Sequence, residues 1–130
     1  MSAVLLDTHV VVWWAAEPER LSPVAVEALN VAEELSVAAI TWYELAWLAH
    51  HQRIRVTIPI RSWLAQLAEH VRTLPITPVI ATTAARLPAD FPRDPADRLI
   101  FATAVEHGLR LVTKDERLRA YPHEPPVALW

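Results

Sequence analysis

The chain is cut into short, almost wholly apolar runs, and each of the clearest is followed by a segment with helix signals. "VLLDT" (4–8), "SVAAI" (36–40) and "LRLVT" (109–113) are the clearest runs; "RTLPI" (72–76) and "PVALW" (126–130) are weaker candidates. Runs this short, with no polar alternation, fit strands covered on both faces, as in a parallel sheet. Between them, Ser22-Pro23 opens a helix at 22–34, and Thr77-Pro78 opens another at 77–87, each as a capping hydroxyl followed by proline at the first helical position. Thr41 and Glu44 have capping-box spacing at the start of a helix at 41–51, Pro59 opens 59–71, and Asp94-Pro95 opens 94–107. Gly108, the only glycine, stands where a left-handed residue ends that last helix. "DERLRAY" (115–121) is a short helix or turn, and "HVVVWWAA" (9–16) either continues the first strand or begins a helix. Strands alternating with helices predict an α/β domain with a mainly parallel central sheet.

With 130 residues, 53% of them hydrophobic, the chain is expected to form one domain, residues 1–130, around a real core. It has no cysteine, which excludes a disulfide framework and a thiolate metal site. Asp7 and His9 interrupt the apolar N-terminus, so neither a signal peptide nor a membrane helix is read there, and a cytoplasmic location is expected. A net charge of −3 argues against a protein that coats nucleic acid, but leaves room for a nucleic-acid enzyme with an acidic site.

The acids fall in a pattern. Asp7 ends the first strand, Glu44 follows the second, Asp97 lies in the first turn of the helix after Asp94, and Asp115 lies two residues past "LRLVT". In an open parallel sheet the strand carboxyl ends share one edge, where ligands gather. Four carboxylates meeting there would repel, and burial would make their charged forms costlier still. A divalent cation relieves both, and an all-oxygen donor set suits Mg2+ or Mn2+ rather than zinc. Singly, each acid also has a plainer reading. Asp94 is a helix N-cap, Glu44 closes a capping box and Asp115 caps the turn after it. Asp97 fits capping less well because its side chain is short for that position. Asp7, set among apolar residues, is expensive unless bonded or metal-bound.

"LLDTHVVVW", "ITWYELAWL", "DPADRLIFATA" and "LVTKDERL", in that order, resemble the PIN-domain family, specifically the VapC-type toxins of bacterial toxin–antitoxin pairs. The resemblance runs from residue 4 to about residue 121. It implies a three-layer α/β/α sandwich and an endoribonuclease dependent on Mg2+ or Mn2+ that leaves a 5′-phosphate. It also implies an antitoxin that blocks the site. The family's acids match Asp7, Glu44, Asp97 and Asp115, and its hydroxyl near the last acid matches Thr113. Asp94 belongs to the wider "DPADR" motif. Relatives often carry histidine where this chain has Pro92, a change expected to touch loop geometry more than metal binding. A PIN-like domain that binds RNA or protein without cutting is the alternative, and its signature would be a missing acid. A phosphatase of the paired-aspartate type is disfavoured because His9 stands two residues after Asp7.

Around these acids, Thr8 and Thr113 are candidates to orient a carboxylate or water. Arg98 is expected to pair with a nearby carboxylate, with a scissile phosphate as its other possible partner. Arg93, Lys114, Arg117 and Arg119 flank the site and are candidate RNA phosphate contacts. Trp13, Trp14, Trp42, Trp47 and Trp63 exceed what a small core easily buries, which fits either an interface, with a second copy or an antitoxin as occupant, or a tryptophan-rich core with partly exposed edges.

Overall fold

The computed structural model describes residues 2–130. Its elements are β1 (Ala3–Leu6), α1 (Thr8–Ala16), a 3-10 turn (Pro18–Arg20), α2 (Pro23–Val31), β2 (Glu34–Ala38), α3 (Ala39–His50) and α4 (Ile60–Ala68), then β3 (Arg72–Leu74), α5 (Pro78–Arg86), α6 (Pro95–His107), β4 (Arg110–Val112), α7 (Glu116–Ala120) and β5 (Ala128–Leu129). The strands form one sheet in the order β3-β2-β1-β4-β5, and every pairing is parallel.

Side-chain alternation explains the layers. Val4 and Leu6 of β1, Val37 of β2 and Val112 of β4 pack with Val10–Trp13, Ala25, Leu29, Leu45 and Leu67 on one face. Leu5, Ala38 and Leu111 point the other way, against Phe91, Ile100, Phe101, Ala104 and Leu118. Successive strand residues point to opposite faces, so a strand apolar throughout is buried only if helices cover both sides. Hence the three-layer α/β/α sandwich. The pattern also settles residues 9–16: they are helical, and α1 is apolar nearly all round because it lies against the sheet.

The second junction differs from the expectation. The strand runs over Glu34–Ala38 rather than 36–40, and α3 begins at Ala39 with Ala38 as a cap that makes no side-chain hydrogen bond. Thr41 and Glu44 therefore do not form a capping box. Thr41 is fully buried, and its hydroxyl meets that of Thr8 at 3.3 Å instead of an α3 amide. The other helix starts behave as the sequence indicates. Ser22, Thr77 and Asp94 each accept amide hydrogen bonds from the first turn of their helix, and Gly108 closes α6 at φ 64°.

Candidate active site

The winding of the sheet creates the site. From β1 the chain steps through β2 to β3 on one side, then returns to place β4 and β5 on the other. The crevice at such a reversal, at the carboxyl ends of the strands, is where open α/β sheets bind ligands. Leu6 pairs with Val112 in register, so the next residues, Asp7 and Thr113, come side by side although 106 positions separate them.

Asp7 is the N-cap of α1, and its Oδ1 accepts the Thr8 amide at 2.8 Å. Its Oδ2 accepts the Thr113 hydroxyl at 2.6 Å, and Thr113 Oγ1 in turn accepts the Asp115 amide at 3.0 Å. Thr8 donates its hydroxyl to Glu44 Oε1. That commits the Thr8 proton, so Thr41 is the donor in the Thr41–Thr8 contact. Thr41 and Glu44, three apart, share a face of α3, which lets both reach Thr8. Thr8 and Thr113 are thus buried hydroxyls that each fix one carboxylate.

Asp94 caps α6, its Oδ1 accepting the amides of Ala96 at 2.8 Å and Asp97 at 3.4 Å. This holds the first turn so that Asp97 faces the same cleft as Asp7, Glu44 and Asp115. Asp115 caps α7 by accepting the Arg117 amide at 2.8 Å, and the Arg117 guanidinium lies 3.0 Å from Asp115 Oδ2 and 3.5 Å from Asp97 Oδ2. The cleft holds about 570 Å³ and is also lined by Thr8, His9, Trp13 and Lys114. A second cavity of about 410 Å³ adjoins it, walled by Ile40, Tyr43, Trp47 and Pro95.

Burial raises the Asp7 carboxyl above its ordinary range, against the Thr113 and Thr8 hydrogen bonds that favour its charged form. Burial likewise raises Glu44, with Asp7 and Asp94 adding repulsion. Asp97 is pushed up to about 7, first by burial and then by the charges of Asp94, Asp7 and Asp115. Asp115 goes the other way: burial opposes its charge, but the Arg117 hydrogen bonds outweigh this and hold it below the usual carboxylate range. Three acids that resist ionisation around one cleft form a site short of positive charge. The four carboxylates offer only oxygen donors, as a hard divalent cation prefers, and His9 is an imidazole on the same lining. Among the described residues, no three acids or histidines are drawn together into a ready metal cage. Hydroxyls and Arg117 hold the carboxylates around the cleft instead.

The remaining expected residues separate. Lys114 and Arg117 line the cleft, while Arg93 is exposed and Arg119 lies outside the cleft lining. Arg98 pairs with no carboxylate and does not face the cleft, a correction to the expectation. Its guanidinium donates to the carbonyls of Ala84, Leu87, Pro88, Phe91 and Pro92 and lies over the Phe91 ring. It ties down the loop that delivers Asp94. Pro92 takes part through its carbonyl, which any residue supplies. Thr41 and His9 were missed. Thr41 looked like a cap, and a lone histidine carries no positional signal. Of the tryptophans, Trp13 is buried, Trp14, Trp42 and Trp63 pack partly buried against the core, and Trp47 is 41% exposed beside the second cavity.

A parallel sandwich with an acidic crevice at its switch point is the architecture of a small nuclease domain. Residues 4–124 match the PIN domain, and the chain belongs to the PIN-domain family, within its VapC type. It is 63% identical, over 100% of both chains, to ribonuclease VapC22 of Mycobacterium tuberculosis (strain ATCC 25618 / H37Rv). Its fold is similar to that of a toxin–antitoxin complex from Klebsiella pneumoniae, with a TM-score of 0.72 and 20% identity over 98% of this chain and 96% of that one. It is also similar to VapBC-5, a VapBC-family toxin–antitoxin system from Mycobacterium tuberculosis, with a TM-score of 0.62 and 24% identity over 99% and 97%. Ribonucleases of this family generally use a divalent cation, in keeping with the oxygen donors of the four carboxylates.

Proposed function

We propose that this chain is an endoribonuclease dependent on Mg2+ or Mn2+, the toxin of a toxin–antitoxin pair, acting as a single domain in the cytoplasm. The observation that carries this reading is the set of four carboxylates, from four separate segments, meeting at one cleft with three of them raised by burial and mutual repulsion. Asp7, Glu44, Asp97 and Asp115 would hold the ion. A divalent ion held there would supply the means to activate a water and to stabilise the leaving oxygen of a phosphodiester, chemistry that would leave a 5′-phosphate. The 63% identity to a ribonuclease of the family supports RNA as substrate.

The chain's own side chains have distinct parts. Thr113 and Thr8 orient Asp7 and Glu44 by donating one hydrogen bond to each. Asp94 builds the helix start that aims Asp97. Arg117 is exposed and held by surface pairs that are cheap to break, so it can turn toward a substrate phosphate once its carboxylates are compensated. Lys114 stands on the same rim. The cleft and its apolar neighbour together suit an antitoxin segment that places a basic side chain among the acids and a bulky one against Tyr43 and Trp47. A homodimer through another part of the aromatic surface is compatible with this.

The test is cleavage of single-stranded RNA by pure protein in EDTA, Mg2+ or Mn2+, with Asp7→Asn and Asp97→Asn in parallel. Cleavage is expected only with metal and only with both acids. Activity that survives chelation, or survives both substitutions, overturns the mechanism.

A further inference from the structure

The acidic cleft does not end at its own rim. His9 and Trp13, one turn apart on α1, line both the cleft and a further groove of about 570 Å³. That groove is walled by Arg20, Arg53, Arg55 and Trp63, none of which belongs to the acidic site. Trp13 joins the two electrostatically. The Lys114 ammonium, from the cleft side, lies 5.7 Å from its ring centroid, and the Arg20 guanidinium, from the groove side, lies 5.0 Å from it. Such spacing lets one ring hold both cations in place.

We propose that this groove is the path of the RNA strand beyond the scissile phosphate: a track for unpaired RNA, with Arg20, Arg53 and Arg55 on its phosphates. This rests on the ribonuclease reading of the neighbouring cleft. In a chain of net charge −3, three arginines gathered beside an acid cluster need a use. Arg53 and Arg55 are exposed and have no carboxylate partner among the described residues. Arg20 pairs with Glu17 at 3.4 Å, but both side chains are about half exposed, so a phosphate can compete for it. Exposed His9 and half-buried Trp63 add flat rings beside the cations. Cations that follow a backbone and rings that meet bases are the two parts of a single-strand site, and only unpaired bases can reach the rings. Lys114 and Arg20 thus meet at Trp13, and Arg20, Arg53 and Arg55 line the groove that adjoins it.

The experiment uses the full-length protein and the double variant Arg53→Gln/Arg55→Gln, which removes two exposed charges and touches none of the proposed metal site. Binding of a fluorescein-labelled, unstructured 12-nucleotide RNA is read by anisotropy in EDTA, where cleavage does not interfere. Loss of two phosphate contacts is expected to weaken binding about tenfold and to flatten the log–log salt slope by about 1.4. With Mn2+ added, KM should rise in step while kcat stays within about twofold, as for lost uniform binding. A dinucleotide, whose single phosphodiester is taken up at the carboxylates, should not distinguish the proteins, and Arg53→Lys/Arg55→Lys should recover most of the binding. Unchanged affinity, salt slope and KM would overturn the proposal. So would a double variant that binds RNA normally but loses its antitoxin, which would make the groove a protein surface. If wild-type protein binds the 12-mer through these arginines but never cleaves RNA, the ribonuclease reading fails and the track stands.

Discussion

Asp97→Asn separates stability from function at the proposed metal site. The Asp97 carboxyl titrates at about 7 in the folded protein, against an ordinary value of 3.8. Between those two pH values the folded chain holds a proton that the unfolded chain has released, so the stability of metal-free protein falls as pH rises. Above the folded value the full penalty is present: about three pH units at ~1.4 kcal/mol each, or about 4 kcal/mol. Only 16% of the Asp97 side chain is exposed, so solvent screens this weakly. The value of about 7 already includes the attraction of exposed Arg117 at 3.5 Å, so losing that contact in the variant is no further cost. Asparagine cannot ionise. In EDTA at pH 8 the variant should therefore be more stable than the parent by about 2–4 kcal/mol, several degrees in Tm for a domain of this size. At pH 5 the gain should shrink to about 1.7 kcal/mol, because only the roughly 1.2 pH units between the unfolded value of 3.8 and pH 5 then contribute. Mn2+ should raise the parent's Tm far more than the variant's, since a ligand that binds the folded state stabilises it. The assay is thermal unfolding of both proteins at the two pH values, with and without Mn2+. A variant no more stable than the parent at pH 8, or a gain of the same size at pH 5, would refute the electrostatic reasoning.

Other perturbations have equally direct readouts. Arg98→Ala takes a donor from five carbonyls, of which Ala84 and Pro88 keep the backbone amides of Leu87 and Phe91, and should cost about 3 kcal/mol or more in urea unfolding, with cleavage lost only as the fold is lost. Thr113→Val keeps the shape beside Asp7 but removes its 2.6 Å hydrogen bond and the acceptor of the Asp115 amide, and should weaken Mn2+ affinity about 10–100-fold with little change in fold by circular dichroism. Gly108→Ala meets no atom within 4 Å, so its cost is only backbone strain at φ 64°, about 1–2 kcal/mol by chemical denaturation.

Where a local signal and the tertiary need agree, the sequence alone was enough. Pro after Ser22, Thr77 and Asp94 fixed three helix starts because the cap and the proline act within one turn. Gly108 fixed a helix end because few other residues take its backbone conformation cheaply. Apolar runs without alternation demanded a sheet covered on both faces, and the acids after those runs then had to share an edge. Residues 9–16 and 36–44 were not legible in this way. The first stretch is apolar in every direction, so no period marks it as helix, and only the sheet face beneath α1 makes it one. At Thr41 and Glu44 the capping spacing was real but unused. A buried hydroxyl needs a partner, and the tertiary fold offered Thr8 before an α3 amide could compete. Arg98 was misread for a related reason: sequence shows the carboxylates near an arginine, but not the loop carbonyls that the fold turns toward it. The type of each element and the supply of acids were therefore written locally. Which groups face one another across the cleft was decided by strand order and register, a long-range property that no window of sequence contains.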